Sequence, residues 1–243
     1  TFIFSMNRNK VLDLGSSVES GLLKDARTGM EYEVVGNLSE QYRSYTNILA
    51  IGQPINVFYG YKCDGIIQTL PEGLNADGDG TQGVVNENDK CIIGDPNPDF
   101  TASLNLSFRW KKLDASIFLN GVFGNDVLNT KTFGDPHNAA LRWTPDNPTN
   151  KYPSLRDGRQ TRFSDYWIED GSFVRIQNLT VGYTFDLPKQ KVFASKIRLY
   201  MNASNLYTFT KFDGYDPEVG QNGIYSGGYP RLRKWTVGLD ITF

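Results

Sequence analysis

Residues 99–123 read DFTASLNLSFRWKKLDASIFLNGVF, and their alternation decides the fold class. Phe100, Ala102, Leu104, Leu106, Phe108 and Trp110 fall on one side, against Thr101, Ser103, Asn105, Ser107 and Arg109 on the other. This is a strand of period two with an aromatic ring at each end of its apolar side. Lys111 and Lys112 then turn the chain into a second strand, whose Leu113, Ala115, Ile117, Leu119 and Phe123 share a face, so the stretch predicts a hairpin.

Outward from this hairpin the pattern recurs. In FVRIQNLTVGYTFDL (173–187), Leu179, Val181, Tyr183 and Phe185 alternate with polar residues until Pro188. In KIRLYMNASNLYTF (196–209), Ile197, Leu199, Met201 and Ala203 oppose Arg198, Tyr200, Asn202 and Ser204. The stretch KWTVGLDITF (234–243) places Trp235, Val237, Leu239, Ile241 and Phe243 together, and residues 1–10 begin with Phe2, Phe4 and Met6 on one face. Six strands are therefore expected, near 1–10, 99–110, 113–123, 173–187, 196–209 and 234–243.

The connections are lopsided. Residues 111–112 and 188–195 make short turns, whereas 15–98, 124–172 and 210–233 are long and take alternate places in the order. Loops of that length sit poorly in a compact soluble sandwich. An outer-membrane barrel has short periplasmic turns and long external loops, and strands of about ten residues cross its hydrocarbon layer at a tilt. If the last strand runs inward, every long connection lies outside. The expected fold is all-β, a transmembrane antiparallel β-barrel, with Trp110, Phe123, Trp235 and Phe243 at strand ends as an interfacial girdle.

Composition narrows the function classes. With 25 basic against 27 acidic residues and no long basic run, the chain lacks the clustered positive face of a nucleic-acid groove. No run approaches the ~18 apolar residues of a membrane-spanning helix. The mean hydropathy is negative, which a barrel tolerates because every second residue faces a polar lumen. The start, TFIFSM, already alternates and carries no leader, as expected of a fragment or a processed piece.

Candidate chemistry is sparse. In NADGDGTQGVVNENDK (75–90), Asn75, Asp77 and Asp79 have the spacing of the first calcium-loop ligands and Gly80 the sharp turn; Asn86 and Asp89 follow once TQG is treated as an insertion. An Asn/Asp/Gly surface turn that binds nothing is an equal reading, and no cofactor is required. Cys63 and Cys91 fall in the same external excursion, where an oxidising compartment favours a disulfide over free thiols. His137 is the sole histidine, far from both cysteines and without a G-x-S-x-G turn, so neither a zinc site nor a hydrolase triad has a basis. Glu169 and Asp170 are adjacent in a strand-entry loop and point apart. The chain reads as no enzyme.

Long-loop aromatics are the remaining candidates. Trp143, Tyr152, Tyr166, Trp167, Tyr215, Tyr225 and Tyr229 lie among Asn, Asp and Arg and would suit sugar or peptide contact, with Trp143, Tyr166 and Trp167 the candidates for substrate; they equally suit contact with a partner protein or packing between loops, and packing is the commoner role for any single ring.

Several stretches resemble the SusC-like family, TonB-dependent outer-membrane transporters that work with a SusD-like lipoprotein. They are GQPINVFYGYKCDGIIQT (52–69), NADGDG with VVNENDK and IIGDPNPDF (75–100), RWTPDNPTNKYPSL (142–155), YWIEDGSFVRIQNLTVGYTF (166–185), NASNLYTFTKFDGYDPEVG (202–220) and YPRLRKWTVGLDITF (229–243). The resemblance implies the C-terminal strands of a 22-stranded barrel, import of a glycan or oligopeptide with a SusD-like lid, and energy from TonB acting through a plug that is not present in this chain. The rival is a secreted or surface β-sandwich that binds carbohydrate, with an uncoupled porin as a third reading. In a sandwich the stripe from Phe100 to Trp110 packs on a second sheet; in a barrel it faces lipid.

Overall fold

The computed structural model describes residues 1–15, 22–36, 39, 44–62, 87–131, 141–149, 163–188 and 194–243. Its strands in chain order are β1 (Phe2–Ser5), β2 (Leu23–Lys24), β3 (Glu31–Val35), β4 (Asn47–Ala50), β5 (Val57–Tyr61), β6 (Lys90–Gly94), β7 (Phe100–Trp110), β8 (Leu113–Phe123), β9 (Asp126–Asn129), β10 (Ile168–Asp170), β11 (Phe173–Asp186), β12 (Lys196–Thr210), β13 (Ile224–Tyr225) and β14 (Lys234–Thr242). The described residues are all-β apart from short 3-10 turns, and no helix is long and apolar enough to cross a membrane.

Six of the strands form one antiparallel sheet in the order β1-β7-β8-β11-β12-β14, here called the wall. The β7–β8 register sets Trp110 opposite Leu113, Phe108 opposite Ala115 and Phe100 opposite Phe123. Lys111 adopts a positive φ of 53°, the backbone that a two-residue hairpin asks of its first turn position. β11 and β12 continue the pattern, with Val181 opposite both Ala115 and Met201, and Met201 opposite Val237. A register shift between Ile176 and Asn178 returns the alternation to phase, so Ile176 joins Leu179 on the apolar face although three positions separate them. On β12 the same irregularity is taken up near Asn205, whose φ is 53°.

The two faces of the wall differ in kind. One carries Leu104, Ile117, Val181, Leu199, Leu239 and their stripe neighbours; the other carries Ser103, Asn120, Thr180, Asn202 and Ser204, bonded in cross-strand pairs such as Ser103 Oγ to Asn120 Oδ1 at 3.1 Å. Among the described residues no second sheet covers the apolar face: Phe108 is 59% exposed, Trp110 60% and Val237 69%. A sandwich core would bury these side chains. From Phe100 to Trp110 the stripe runs about 33 Å along the strand, which at a tilt of about 40° projects to about 25 Å, the height of the apolar band of outer-membrane barrels. Of the aromatic strand ends, Trp110, Trp235 and Phe243 are exposed, and Phe123 stacks on Phe100 with ring centroids 4.7 Å apart.

Two expectations need correction. The first strand is four residues long: past Ser5 the chain leaves the sheet and runs beside the 51–55 turn, where Val11 N–H donates to Gln53 O at 2.9 Å and Asn9 Oδ1 accepts from Ile55 N–H at 2.7 Å. The stretches expected to be external loops also contain strands of their own. Residues 22–94 contribute a five-stranded sheet, β2-β3-β4-β5-β6, and β9, β10 and β13 form a second small sheet in the order β10-β9-β13. β9 and β10 extend the β8–β11 pair beyond Gly124 and Gly171, so the second small sheet stands directly on the long-connection end of the wall.

Phe58, wholly buried, shows why the short strands escaped the period-two test. It packs with Leu128, Phe163 and Trp167, while its neighbours Val57 and Tyr59 pack with Tyr32, Ile48 and Ala50 on the other side. A strand covered on both faces reads as a continuous apolar run rather than an alternation. The turn before β3 is fixed by Asp25, a buried carboxylate that accepts hydrogen bonds from the Arg27 and Thr28 backbone N–H groups, the Thr28 hydroxyl and, at 2.6 Å, the Tyr59 hydroxyl. Burial alone would push the Asp25 carboxyl upward, but the hydrogen bonds from Thr28, Tyr59 and Arg27 outweigh it and hold the group below its ordinary value. Because the folded value is the lower one, this turn is stabilised above about pH 4 and loses that stabilisation as pH falls through the folded value. Tyr59→Phe is expected to lower amide protection in β2–β5 by about 1–3 kcal/mol at neutral pH, since it removes one of the partners of a buried carboxylate. Hydrogen exchange reads both effects, and protection in Tyr59→Phe equal to the parent's would refute the role given to Asp25.

Candidate functional site

The long-connection ends of the wall strands and the small sheets are joined by a few deeply placed groups. Asp126 at the start of β9 accepts from Asp95 N–H through Oδ2 at 2.8 Å and donates its own N–H to Asp95 O at 2.8 Å; burial pushes its carboxyl up. Asn97 donates to Ile55 O at 2.8 Å, and Asn47 donates to Asn222 O at 3.0 Å. The Asp95–Asp126 and Asn47–Asn222 bonds tie the excursion before β7 to those that follow β8 and β12, and the Asn97–Ile55 bond closes the first excursion on itself. Gly223, with φ of 70°, sits where a Cβ would lie 2.5 Å from Pro96 and 2.8 Å from the Phe58 ring, so the contact requires glycine.

The segment between β12 and β14 is anchored on the wall by Arg175. This guanidinium projects from the polar face near the outer end of β11, is 2% exposed and lies 4.8 Å from the Phe173 ring centre. Its Nε donates to Thr208 Oγ1 at 3.0 Å, Nη2 to Asp216 Oδ1 at 2.6 Å and Nη1 to Glu218 Oε2. Arg231 approaches the same carboxylates from the far end of the segment, donating through Nε to Asp216 Oδ2 at 2.6 Å and placing Nη2 3.0 Å from Glu218. The Asp216 carboxylate, bonded to it, raises the Arg231 pKa above its ordinary value. Two carboxylates thus sit between two guanidiniums, one of them buried.

Around this cluster the segment folds over a pocket of 350 Å³, within the usual size range for small-molecule sites. Tyr225 forms its floor: it is buried edge-on against Phe212, and its hydroxyl accepts from Tyr215 N–H at 3.1 Å. Tyr215 and Tyr229 line the pocket while remaining 74% and 100% exposed, and Ser226, Gly227 and Gly228 contribute a hydroxyl and bare backbone. Glu169 is used structurally, accepting from Asn129 Nδ2 at 2.9 Å and from Asp213 N–H at 2.8 Å; Asp170 accepts from Ser172 N–H. The pair therefore serves to hold loops.

The other sequence candidates fall elsewhere. Trp167 is 5% exposed in the core with Phe58 and Phe163, because the 3-10 turn Asp165–Trp167 drives its ring between the two small sheets; Tyr166 packs edge-on against it at 4.7 Å. Trp143 is also 5% exposed. The accessible rings are instead Tyr215 and Tyr229, which the sequence offered among many loop aromatics without distinguishing them. Of the calcium-loop residues, Asn75, Asp77, Asp79 and Asn86 lie outside the described residues; Asp89 is buried, and its carbonyl accepts from Lys62 N–H at 3.1 Å. Cys63 and His137 also lie outside them, while Cys91 is a half-buried thiol on β6 whose pKa burial pushes up.

At the short-turn end of the same polar face, Arg198 on β12 donates through Nη2 to Asp114 Oδ2 at 2.6 Å and through Nη1 to Asp240 Oδ2 at 2.9 Å. It reaches β8 by crossing β11 at Gly182, where a Cβ would lie 2.7 Å from the guanidinium. Three strands, β8, β12 and β14, are thereby linked across the polar face, with β11 passing beneath the guanidinium.

Comparison with known proteins gives this architecture its relatives. The chain matches no protein-family profile. It is 32% identical over 281 residues to TonB-dependent receptor P3 of Formosa agariphila, an alignment covering all of this chain and 26% of that protein. It is 29% identical over 201 residues to TonB-dependent receptor SusC of Bacteroides thetaiotaomicron, covering 79% of this chain and 20% of SusC. Among solved structures, the RagAB peptide importer in its open-open state superposes with a TM-score of 0.74 at 22% identity, over the whole chain and 26% of that chain. The chain belongs with the SusC-like TonB-dependent receptors and spans about a quarter of the length of the full-coverage relative. These relatives are receptors and importers rather than enzymes.

Proposed function

We propose that these residues form part of the wall of a closed, 22-stranded outer-membrane barrel, within a longer TonB-dependent transporter that imports an oligosaccharide or oligopeptide. The observation that carries this reading is the six-stranded wall itself, with one continuous, uncovered apolar face and one hydrogen-bonded polar face. The apolar face meets lipid, and the polar face lines the lumen around a plug supplied by another part of the polypeptide. Among the described residues β1 and β14 each have one unpaired edge, which further strands take in a closed barrel. The small sheets and the pocket stand outside the membrane, facing a SusD-like surface lipoprotein that acts as a lid, and energy comes from TonB.

The test is uptake by cells that produce the complete polypeptide with its lipoprotein partner, with and without TonB. Energised accumulation of an oligosaccharide or peptide that stops when TonB is deleted is the expected result. Accumulation indifferent to TonB would point to an uncoupled porin, and recovery of the polypeptide as a soluble secreted species would refute the membrane assignment.

A further inference from the structure

We infer that the lipid-facing outer edge of the wall holds a phosphorylated glycolipid of the outer leaflet, met by Arg233 beside β14, Lys211 beside β12 and Arg8 beside β1, an inference that rests on the membrane-wall reading. The argument begins with spacing. On β12 the apolar stripe ends at Tyr207 and Phe209, opposite Ile176 and Val174, and the next residue of that parity is Lys211. On β14 the stripe ends at Trp235, opposite Ala203, and the residue of that parity before it is Arg233. Phe2, Phe4 and Met6 lead to Arg8 as the chain leaves β1. In each case a cation stands two residues beyond an exposed ring or thioether at the long-connection end. All three cations are exposed, and none has an ion pair among the described residues. Their neighbours are engaged: Arg231 is committed to Asp216 and Glu218, and at the short-turn end Lys112 pairs with Asp186 at 3.2 Å while Lys111 lies 5.1 Å from the Trp110 ring centre.

A cation at the edge of a hydrocarbon layer gives up part of its water, and a phosphate in the same plane restores a charge-assisted partner. Arginine suits this place, because its planar fork matches phosphate oxygens while the rings beside it rest among acyl chains. Height then selects the lipid. β14 pairs with β12 as far as Lys234 opposite Ser204, so Arg233 enters beside Asn205, whose Nδ2 donates to Leu232 O at 3.3 Å. Lys211 lies six residues further out than Asn205, about 20 Å along the strand and about 15 Å in height at a tilt of about 40°. The charge of a glycerophospholipid lies in one headgroup plane and cannot meet both levels. A glycolipid with phosphates on its lipid anchor and on its core sugars meets both. Asp170 feels the Lys211 charge, but its carboxylate is turned to Ser172 N–H at 2.9 Å. Arg8 stands four strand spacings from β12, about 19 Å across the sheet, and meets a second molecule.

The experiment uses the complete transporter with its lipoprotein partner, placed in nanodiscs of phosphatidylcholine, as parent, Arg233→Gln, Lys211→Gln, Arg8→Gln, the triple variant and control Lys24→Gln, Lys24 being exposed on β2. Each is titrated with rough lipopolysaccharide, with the same glycolipid after removal of its phosphates, and with phosphatidylglycerol, and bound lipid is counted by native mass spectrometry. Parent and control are expected to prefer the phosphorylated glycolipid to both others by about tenfold or more. Each single substitution should weaken its binding about fivefold, the scale of one cation at an anionic surface, and the triple variant about a hundredfold. Should the triple variant fail to assemble, the three single variants decide. Binding indifferent to dephosphorylation, binding unchanged in the variants, or phosphatidylglycerol held as tightly as the phosphorylated glycolipid would overturn this inference while leaving the membrane wall intact, since the wall asks only for lipid contact. A parent that stays soluble without detergent and enters no nanodisc would overturn the wall reading and this inference with it.

Discussion

Arg175→Ala is expected to release the segment between β12 and β14 from the wall. Arg175 is 2% exposed and holds Thr208 on its own sheet together with Asp216 and Glu218 on the segment. Removing one partner of a buried pair costs about 3–5 kcal/mol, because the remaining charges lose their match while staying partly desolvated. Arg231 keeps its own bonds to both carboxylates but lies on the segment side, so it cannot replace the tie to the wall. Amide protection at Leu128 and Thr130, whose N–H groups donate to the docked segment at Gly223 O (2.9 Å) and Tyr225 O (3.1 Å), is expected to fall by about 10²–10⁴, the factor that corresponds to that energy. Glu218→Gln serves as contrast: Glu218 is 45% exposed, so its loss should be much milder. Protection in Arg175→Ala equal to the parent's would show that the cluster does not anchor the segment.

Leu104→Arg acts on the other face. Leu104 lies mid-strand in β7, opposite Phe2 and Leu119, on the stripe assigned to lipid. An arginine there at mid-bilayer depth costs about 2–4 kcal/mol. The complete barrel should assemble poorly and unfold at lower denaturant concentration in lipid. Its neighbour Asn105 lies on the opposite, polar face, assigned to the lumen, so Asn105→Arg should assemble as the parent does. Equal behaviour of the two variants would place both residues in the same environment and remove the basis for a lipid-facing stripe.

How much of this was legible in the sequence follows from how each strand is buried. β7, β8, β11, β12 and β14 have one apolar and one polar face, so they announce themselves by period two; even the bulge at Ile176–Asn178 disturbs the pattern only locally. β5 is buried on both faces and β2 and β13 are two residues long, so neither alternation nor length marks them. The motifs that carried the family resemblance turn out to be joints: Asp95 of IIGDPNPDF ties the end of β6 to Asp126 on β9, Asn97 folds back onto Ile55 in the β4–β5 turn, and Asp216 and Glu218 of FDGYDPEVG meet Arg175 on the wall. The pocket was less legible, because seven loop aromatics look alike until burial separates Trp143 and Trp167 from Tyr215 and Tyr229. Arg175 left a faint signal, a lone arginine at an inward position of a strand followed some forty residues later by two acids at i and i+2. Sequence alone does not tell which partner such a residue meets.

The measurement that tests the central claim most directly is spin-label accessibility along β7 in the complete polypeptide, inserted in outer-membrane vesicles. Labels placed singly at residues 103 to 108 are compared for collision with oxygen, which concentrates in lipid, and with a water-soluble nickel chelate. The account predicts oxygen maxima at 104, 106 and 108 and nickel maxima at 103, 105 and 107, a strict alternation with the lipid side on the leucine and phenylalanine positions. Low oxygen accessibility at 104, 106 and 108, or no alternation between the two series, would contradict the assignment of this sheet as a membrane wall.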